Sequence, residues 1–400
     1  MKILFLTDNF YPEMNAPANR TYDHCREWVK LGMEVTVITC VPNFPTGKVF
    51  SGYKNKIYQT EYIDGIKVVR VWSYITANEG TVKRIMDYVS FAIMGFISSL
   101  FIKTDIIIAT SPQFFTAIAG RMASLFKRKP WIMEVRDIWP ESIVAVGAMK
   151  KSRAISFLEK TEKHLYNSAF KIVVVTDSFK INIMNKGVES KNIFVIKNGV
   201  FIDKFKPIPK DWSLLNKLKL ENKFIVAYFG THGMAHKLDF ILRCAKIITD
   251  PDIHFLFLGD GAERENLIKL KEELSLTNVT MLCSVPKNEI HNYISIIDVA
   301  LVNLKKSDTF KSVIPSKIFE NAAMEKPIFL GVEGESKVLV ESYNSGLCFE
   351  PENETDFIQK LNTIREKTLV GAYIDGCNKI TQDFNRIHLA KKMLEILMLR

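Results

Sequence analysis

Cysteine is sparse and scattered in this chain. The six residues Cys25, Cys40, Cys244, Cys283, Cys348 and Cys377 include no CxxC pair. That spacing excludes a disulfide scaffold and a structural zinc site, and fits reduced thiols in a cytosol. The two commonest glycine-rich nucleotide loops, GxxxxGK[ST] and GxGxxG, are also missing. A secretory leader is not expected, because Asp8, Asn9 and Pro12 follow the short apolar run of MKILFLTDNFYPEM where a leader would still be apolar. The run is read instead as a first strand. A membrane span is lacking by the same reasoning. Tyr88 to Ile102 carries no charge, but as a helix it reaches only roughly 22 Å, short of the ~30 Å hydrocarbon core. Three serines and a glycine interrupt it and Lys83, Arg84 and Lys103 flank it. It reads as a helix that is either buried in the core or partly dipped into an interface.

What is present is the composition of an ordinary globular protein, 47% apolar and 24% charged. Its 400 residues are expected to form two domains. The net charge of +10 is unevenly spread: residues 1–199 hold 27 Lys and Arg against 17 Asp and Glu, and residues 200–400 hold 27 against 27. Such a one-sided excess favours a polyanionic partner for the first half, either nucleic acid or an anionic membrane leaflet. A loop with Lys48, Lys54 and Lys56 interleaved with Phe50, Tyr53 and Tyr58 belongs to the same half.

Two apolar runs ending in turn-prone residues, Lys2 to Thr7 and Phe224 to Gly230, open similar patterns. Strands are expected in the first half at Glu34–Cys40, Lys67–Trp72, Asp105–Thr110, Trp131–Val135, Lys171–Thr176 and Ile193–Ile196, with a helix over Asn19–Leu31. In the second half, strands at His254–Leu258, Val279–Leu282, Val299–Val302 and Ile328–Leu330 alternate with helices at Lys237–Thr249, Ala262–Leu274, Lys287–Ile296 and Ser316–Met324. This alternation predicts two α/β domains with parallel sheets, 1–199 and 200–384. The amphipathic helix at about Asn385–Leu399 is expected to pack back on the first.

In open α/β sheets ligands bind beyond the carboxyl ends of the strands. After the first strand, Asn15, Ala16, Pro17 and Ala18 form a run of small residues before a helix that lets a ligand approach its N-terminus, although a plain turn explains them nearly as well. Arg20 lies just inside that helix. After Trp131–Val135 come Arg136 and Asp137, where a carboxylate can orient or deprotonate an acceptor hydroxyl; an ion pair or an N-cap would account for them equally. In the second half, Gly230, Thr231, His232 and Gly233 make a turn that can face an anion, with His236 and Lys237 close behind. Gly259 and Asp260 form another tight turn, and Val285 and Pro286 offer backbone groups to a base edge. Ser316 and Lys317 start a helix on which Glu320 lies one turn further. The lysine can neutralise a diphosphate and the glutamate can accept two ribose hydroxyls, or the two can be an ordinary i,i+3 charge pair.

Taken together, NFYPEMNAPANR, VRDIWPES, VIKNGVFIDKFKP, FGTHGMAHKLDFIL, FLGDGAER, SVPKNEI and IPSKIFENAAMEKPI resemble glycosyltransferase family 4 over nearly the whole chain. Within it they are similar to the bacterial O-antigen and capsule branch that includes fucosamine transferases. The resemblance implies a GT-B fold, two doubly wound Rossmann-like domains facing across a cleft, and a retaining transfer from a nucleotide-sugar, UDP-linked, to a polyprenyl-diphosphate-linked sugar acceptor. It implies Glu320 on the ribose, Val285 and Pro286 beside the base, the Gly230–Gly233 turn at the diphosphate, and Asp137 at the sugar and acceptor. Neither a cofactor nor a metal is expected, so protein cations stabilise the leaving diphosphate. The expected location is cytoplasmic, peripheral on the inner face of the membrane, with an anionic membrane surface and no nucleic acid as partner. A UDP-sugar epimerase of the same fold, or a non-catalytic subunit of a membrane glycan assembly, is the alternative. Two departures stand out: the usual Arg and Lys of the glycine turn are Thr231 and His236 here, and the first Glu of the Glu-x7-Glu pair falls on Ser312. Lys237 and Lys317 are the remaining candidate cations.

Overall fold

The computed structural model describes residues 1–44, 46–76, 81–111, 114–145, 152–286 and 289–399. They form two compact units, Met1–Lys197 together with Arg386–Arg400, and Asn198–Asn385. Each is described by itself.

Among the described residues the first unit holds eight strands: β1 Lys2–Leu6, β2 Glu34–Thr39, β3 Tyr58–Ile63, β4 Ile66–Val71, β5 Ile106–Thr110, β6 Trp131–Val135, β7 Lys171–Val174 and β8 Ile193–Val195. They lie in the order β3-β4-β2-β1-β5-β6-β7-β8. Every pairing is parallel except the β3–β4 hairpin. The run Ile106–Thr110 is buried at all five positions, as expected of a strand covered by helices on both faces. β3 was not expected; its residues alternate between exposed and half-buried, so an edge strand with no continuous apolar run leaves little trace in sequence. The helix expected over Asn19–Leu31 spans Ala16–Lys30. It starts three residues earlier because Asn15 is its N-cap, its side chain accepting the Ala18 N–H at 2.9 Å.

The terminal helix Arg386–Met398 packs on Ala16–Lys30. Trp28 Nε1 donates to the Ala390 carbonyl at 2.8 Å, Lys171 Nζ donates to the Ile396 carbonyl at 2.7 Å, and Arg386 pairs with buried Asp23. Tyr88–Ile102 falls mostly within the helix Thr81–Leu100. Among the described residues no helix is long and apolar enough to cross a membrane.

The second unit holds six strands, β9 Phe224–Phe229, β10 Ile253–Leu258, β11 Val279–Leu282, β12 Val299–Asn303, β13 Ile328–Gly331 and β14 Gly346–Cys348. They are all parallel in the order β11-β10-β9-β12-β13-β14. The helix expected from Lys287 is described over Ile290–Ile296, and Lys287 and Asn288 lie outside the described residues. β14, three residues long, was also not expected. In each sheet the strand order reverses beside the first strand, between β1 and β5 and between β9 and β12. Those switch points open a crevice at the carboxyl ends, and they select which loops carry chemistry.

Candidate functional site

In the second unit the segment leaving β9 is built around a close approach. Gly230 has φ +133°, and a Cβ there would stand 2.7 Å from the Lys317 Nζ. Only glycine leaves room for that ammonium against the backbone. Lys317 opens the helix Lys317–Ala323, and its Nζ donates to the Tyr228 hydroxyl at 2.6 Å. It also stands 3.8 Å from the centre of the Tyr228 ring. The tyrosine is buried and its own hydroxyl donates to the Thr231 carbonyl at 2.9 Å. Loss of water around the ammonium brings the Lys317 pKa down to about 7, opposed only by Glu320.

The turns after β9 and β10 are tied together. The His232 N–H donates to the Asp260 carbonyl at 2.8 Å and the Glu263 N–H to the His232 carbonyl at 2.9 Å. A Cβ at Gly259 would collide with the Gly230 carbonyl. His232 is fully buried and neither ring nitrogen has a hydrogen-bond partner. Burial first, then Arg264 and Lys317, push its pKa down to about 4; burial and Lys317 do the same to His236. Both imidazoles are therefore neutral at pH 7, which leaves Arg264 and Lys317 as the cations felt at this turn.

Lys237 is placed elsewhere. It adopts a left-handed conformation at φ 47° as the N-cap of the helix Leu238–Ile247. Its Nζ bonds Asp239 at 2.8 Å, at the edge of a cavity of about 330 Å³ lined also by Gly233, Glu263, Asn266 and Lys305. The strained backbone is braced by Asn303, whose Nδ2 donates to the His236 carbonyl at 2.8 Å. Of the two candidate cations the structure thus brings Lys317, and not Lys237, to Gly230. Glu320 is half-buried on the same helix as Lys317, one turn on. Ser316 precedes that helix, and its carbonyl accepts the Phe319 and Glu320 N–H groups. Thr231 and Asp260 are exposed, Val285 rests against the core and Pro286 is exposed.

Tyr228, Asn303 and Arg264 were missed from sequence. The first two stand at the carboxyl ends of β9 and β12, the pair flanking the switch point, where one polar tip in an apolar strand is the available signal. Arg264 starts the helix after the Gly259–Gly261 turn; its Nη2 reaches Cys283 Sγ at 3.3 Å.

In the first unit Arg20 is turned inward. Its guanidinium bonds Glu134 at 3.0 Å, the Lys197 carbonyl at 2.9 Å and the Ile196 carbonyl at 2.8 Å, with almost no exposure. It joins the helix to β6 and the end of β8, and does not open to a ligand. Asn15 likewise caps its helix with the side chain, leaving Ala16 exposed in the first turn. Arg136 and Asp137 follow β6. The Arg136 N–H donates to Ser111 Oγ at 2.8 Å, while its Nε and Nη1 are buried without partners. Burial lowers its pKa to about 10 against the pull of Glu134. Asp137 Oδ2 accepts from Ser142 Oγ at 3.0 Å, and burial raises its carboxyl above the ordinary value. Among the described residues no three His, Cys, Asp or Glu side chains stand together as metal ligands.

Two doubly wound units, each with its switch point beside the first strand, form a GT-B fold. Residues 211–370 match the family described as glycosyl transferases group 1, and residues 15–199 match the glycosyl transferase 4-like domain; with a domain of each kind, the chain is a glycosyltransferase. Over 374 residues it is 24% identical to WcaI of Escherichia coli K12, a protein assigned as a colanic acid biosynthesis glycosyl transferase, covering 88% of this chain and 89% of WcaI. Its fold is similar to that of sucrose-phosphate synthase from Thermosynechococcus elongatus, with a TM-score of 0.78 at 14% identity over 99% and 98% of the two chains. HepE of Anabaena, solved in complex with UDP, gives 0.73 at 17% identity over 99% of each chain.

Proposed function

We propose that this glycosyltransferase moves a sugar, with retention, from a UDP-linked donor to a polyprenyl-diphosphate-linked acceptor at the inner face of the cytoplasmic membrane, in the building of bacterial O-antigen, lipopolysaccharide or capsule. An N-acetyl-L-fucosamine or a related deoxy-amino sugar is the donor group that the sequence resemblance favours. The observation that carries the reading is Lys317 held against Gly230 by Tyr228. A diphosphate at this turn finds an ammonium and backbone N–H groups, and the same helix presents Glu320 to a ribose. In the transfer the bond between the anomeric carbon and the diphosphate oxygen breaks, and its electron pair stays on the diphosphate. Lys317 answers that charge, a task that a divalent metal performs in other enzymes. The acceptor hydroxyl forms the new bond, and its proton passes to Asp137 or, where Asp137 only fixes its orientation, to the departing diphosphate oxygen. WcaI, assigned to colanic acid synthesis, and HepE, solved with UDP and with UDP-glucose, support the pathway and the nucleotide.

UDP is expected to raise the melting temperature, and Glu320→Ala to abolish most of that shift, since losing a charged acceptor to two hydroxyls costs ~2 to 3 kcal/mol. An unchanged UDP affinity in Glu320→Ala would remove this residue from the site. Turnover is expected to survive EDTA; a strict Mg²⁺ requirement would contradict the role given to Lys317.

A further inference from the structure

The helix Thr81–Leu100 has two apolar faces. Phe91 is buried, and Gly95 lies over Leu6 and Ile38 of the sheet. The opposite face is left in water, with Ile93, Ile97 and Leu100 exposed at helical spacing and Phe101 following at 82% exposure. The end of the neighbouring helix Phe114–Lys127 adds Leu125 and Phe126, the latter 65% exposed. The two helices are joined by the Phe96 and Phe126 rings, edge to face at 5.4 Å, and by Lys127 Nζ donating to the Leu100 carbonyl at 3.2 Å. Contiguous apolar surface of this kind marks a contact.

The charge around it says what the contact is. Between Tyr88 and Met133 the chain has one acid, Asp105, and that carboxylate accepts the Lys2 N–H at 2.7 Å. Against it stand Arg121 within the second helix and Lys103, Lys127, Arg128 and Lys129, these four where the two helices end, close in sequence to Phe101 and Phe126. At the other end of the first helix Lys83 and Arg84 are exposed. A helix about 30 Å long with an exposed apolar face, cations at both ends and a single acid, Asp87, close to Asp8 and Glu13 is complementary to a bilayer whose headgroups are anionic.

We propose that this face, and not the Lys48–Tyr58 loop, seats the first unit on an anionic bilayer, with the helix Thr81–Leu100 lying along the interface. The loop is a poorer contact because Tyr53 is held under the Arg70 guanidinium at 4.9 Å. The inference rests on the reading of a lipid-linked acceptor, and it gives that acceptor a route. Asp87, in the second turn of the helix, is close enough to Asp8 and Glu13 to raise the Asp8 carboxyl, so the helix starts beside the carboxyl end of β1. A lipid held along this face is delivered to that end of the sheet.

The test is flotation of the full-length protein with phosphatidylcholine vesicles, with and without about one-third phosphatidylglycerol. The wild type is expected to float with the anionic vesicles and to be released as salt rises, because the reach of surface charge shrinks to ~8 Å at physiological strength. Lys127→Gln, Arg128→Gln and Lys129→Gln together should weaken partitioning by roughly 100-fold, about fivefold for each cation. Phe101→Ser with Phe126→Ser should weaken it at least tenfold at low salt. In both variants the UDP melting shift is expected to stay as in the wild type, which separates lost lipid contact from misfolding. Indifference of the wild type to phosphatidylglycerol overturns the proposal, as does undiminished flotation of the variants. So does a wild-type dimer that the serine pair converts to monomer without any change in flotation, since the face then meets a second copy. If vesicles are not bound while a detergent-dispersed lipid acceptor is still glycosylated, the surface falls and the transferase stands. If vesicles are bound and no acceptor is glycosylated with any nucleotide-sugar, the transferase reading falls alone.

Discussion

Lys317→Met is expected to weaken binding of a UDP-sugar and to lower turnover by ~10² to 10³, the scale of losing one preorganised charge at a developing anion. The side chain is held in place before any ligand arrives, by the Tyr228 hydroxyl at 2.6 Å and by the helix it opens, so little reorganisation accompanies binding. A pH dependence follows. In the free protein Lys317 titrates at about 7, and a bound diphosphate favours its ammonium form. Affinity is therefore full below pH 7. As pH rises past that value binding must take up a proton, and affinity falls by up to tenfold per pH unit until the pKa of the complex is reached. Calorimetry between about pH 6 and 9 in buffers of different ionisation heat checks the proton uptake. The slope should vanish in Lys317→Met. A wild type whose affinity is flat over that range would take Lys317 off the phosphates. His232 and His236 do not confuse the measurement, because both titrate at about 4.

Asp137→Asn should leave donor binding near normal while lowering turnover by ~10² or more, the usual contribution of a positioned acid or base. The isosteric amide keeps a partner for Ser142 Oγ, which donates to Asp137 at 3.0 Å, so the local turn should survive. Burial raises this carboxyl and Ser142 and the Ile138 N–H lower it. The acid limb of the pH–rate profile should accordingly lie above that of an ordinary aspartate and disappear in the variant. Equal losses of donor affinity and turnover would mark Asp137 as structural.

Much of this was legible in the chain, and what was not has identifiable causes. The buried parallel strands announce themselves as apolar runs, such as IIIAT and FIVAYF. Edge strand β3 and three-residue β14 do not, because each lacks the continuous run that burial on two faces produces. The glycine turn after β9 and the Lys317–Glu320 helix start are visible as local motifs. Which lysine serves the turn is not visible, because Lys237 is its neighbour in sequence whereas Lys317 is its neighbour in space. The pairing order β9-β12-β13 brings the later helix to the earlier strand. Arg20 is the converse case. Its place near a helix start suggested a ligand, yet the helix turn directs it inward to Glu134, 114 residues away. Tyr228 carries only the weak signal of a polar tip at the end of an apolar strand, and its role appears once its hydroxyl is seen to meet Lys317.

Transfer of a sugar from a nucleotide diphosphate to a lipid-linked acceptor couples nucleotide release to the presence of that acceptor. The protein is given a UDP-sugar alone, then the same donor with a polyprenyl-diphosphate-linked sugar, and free UDP and lipid product are measured together. Little release is expected without acceptor and, with it, one UDP for each glycosylated lipid, lost in Lys317→Met. A donor recovered as its epimer, or UDP released at the same rate with and without the lipid, would contradict it.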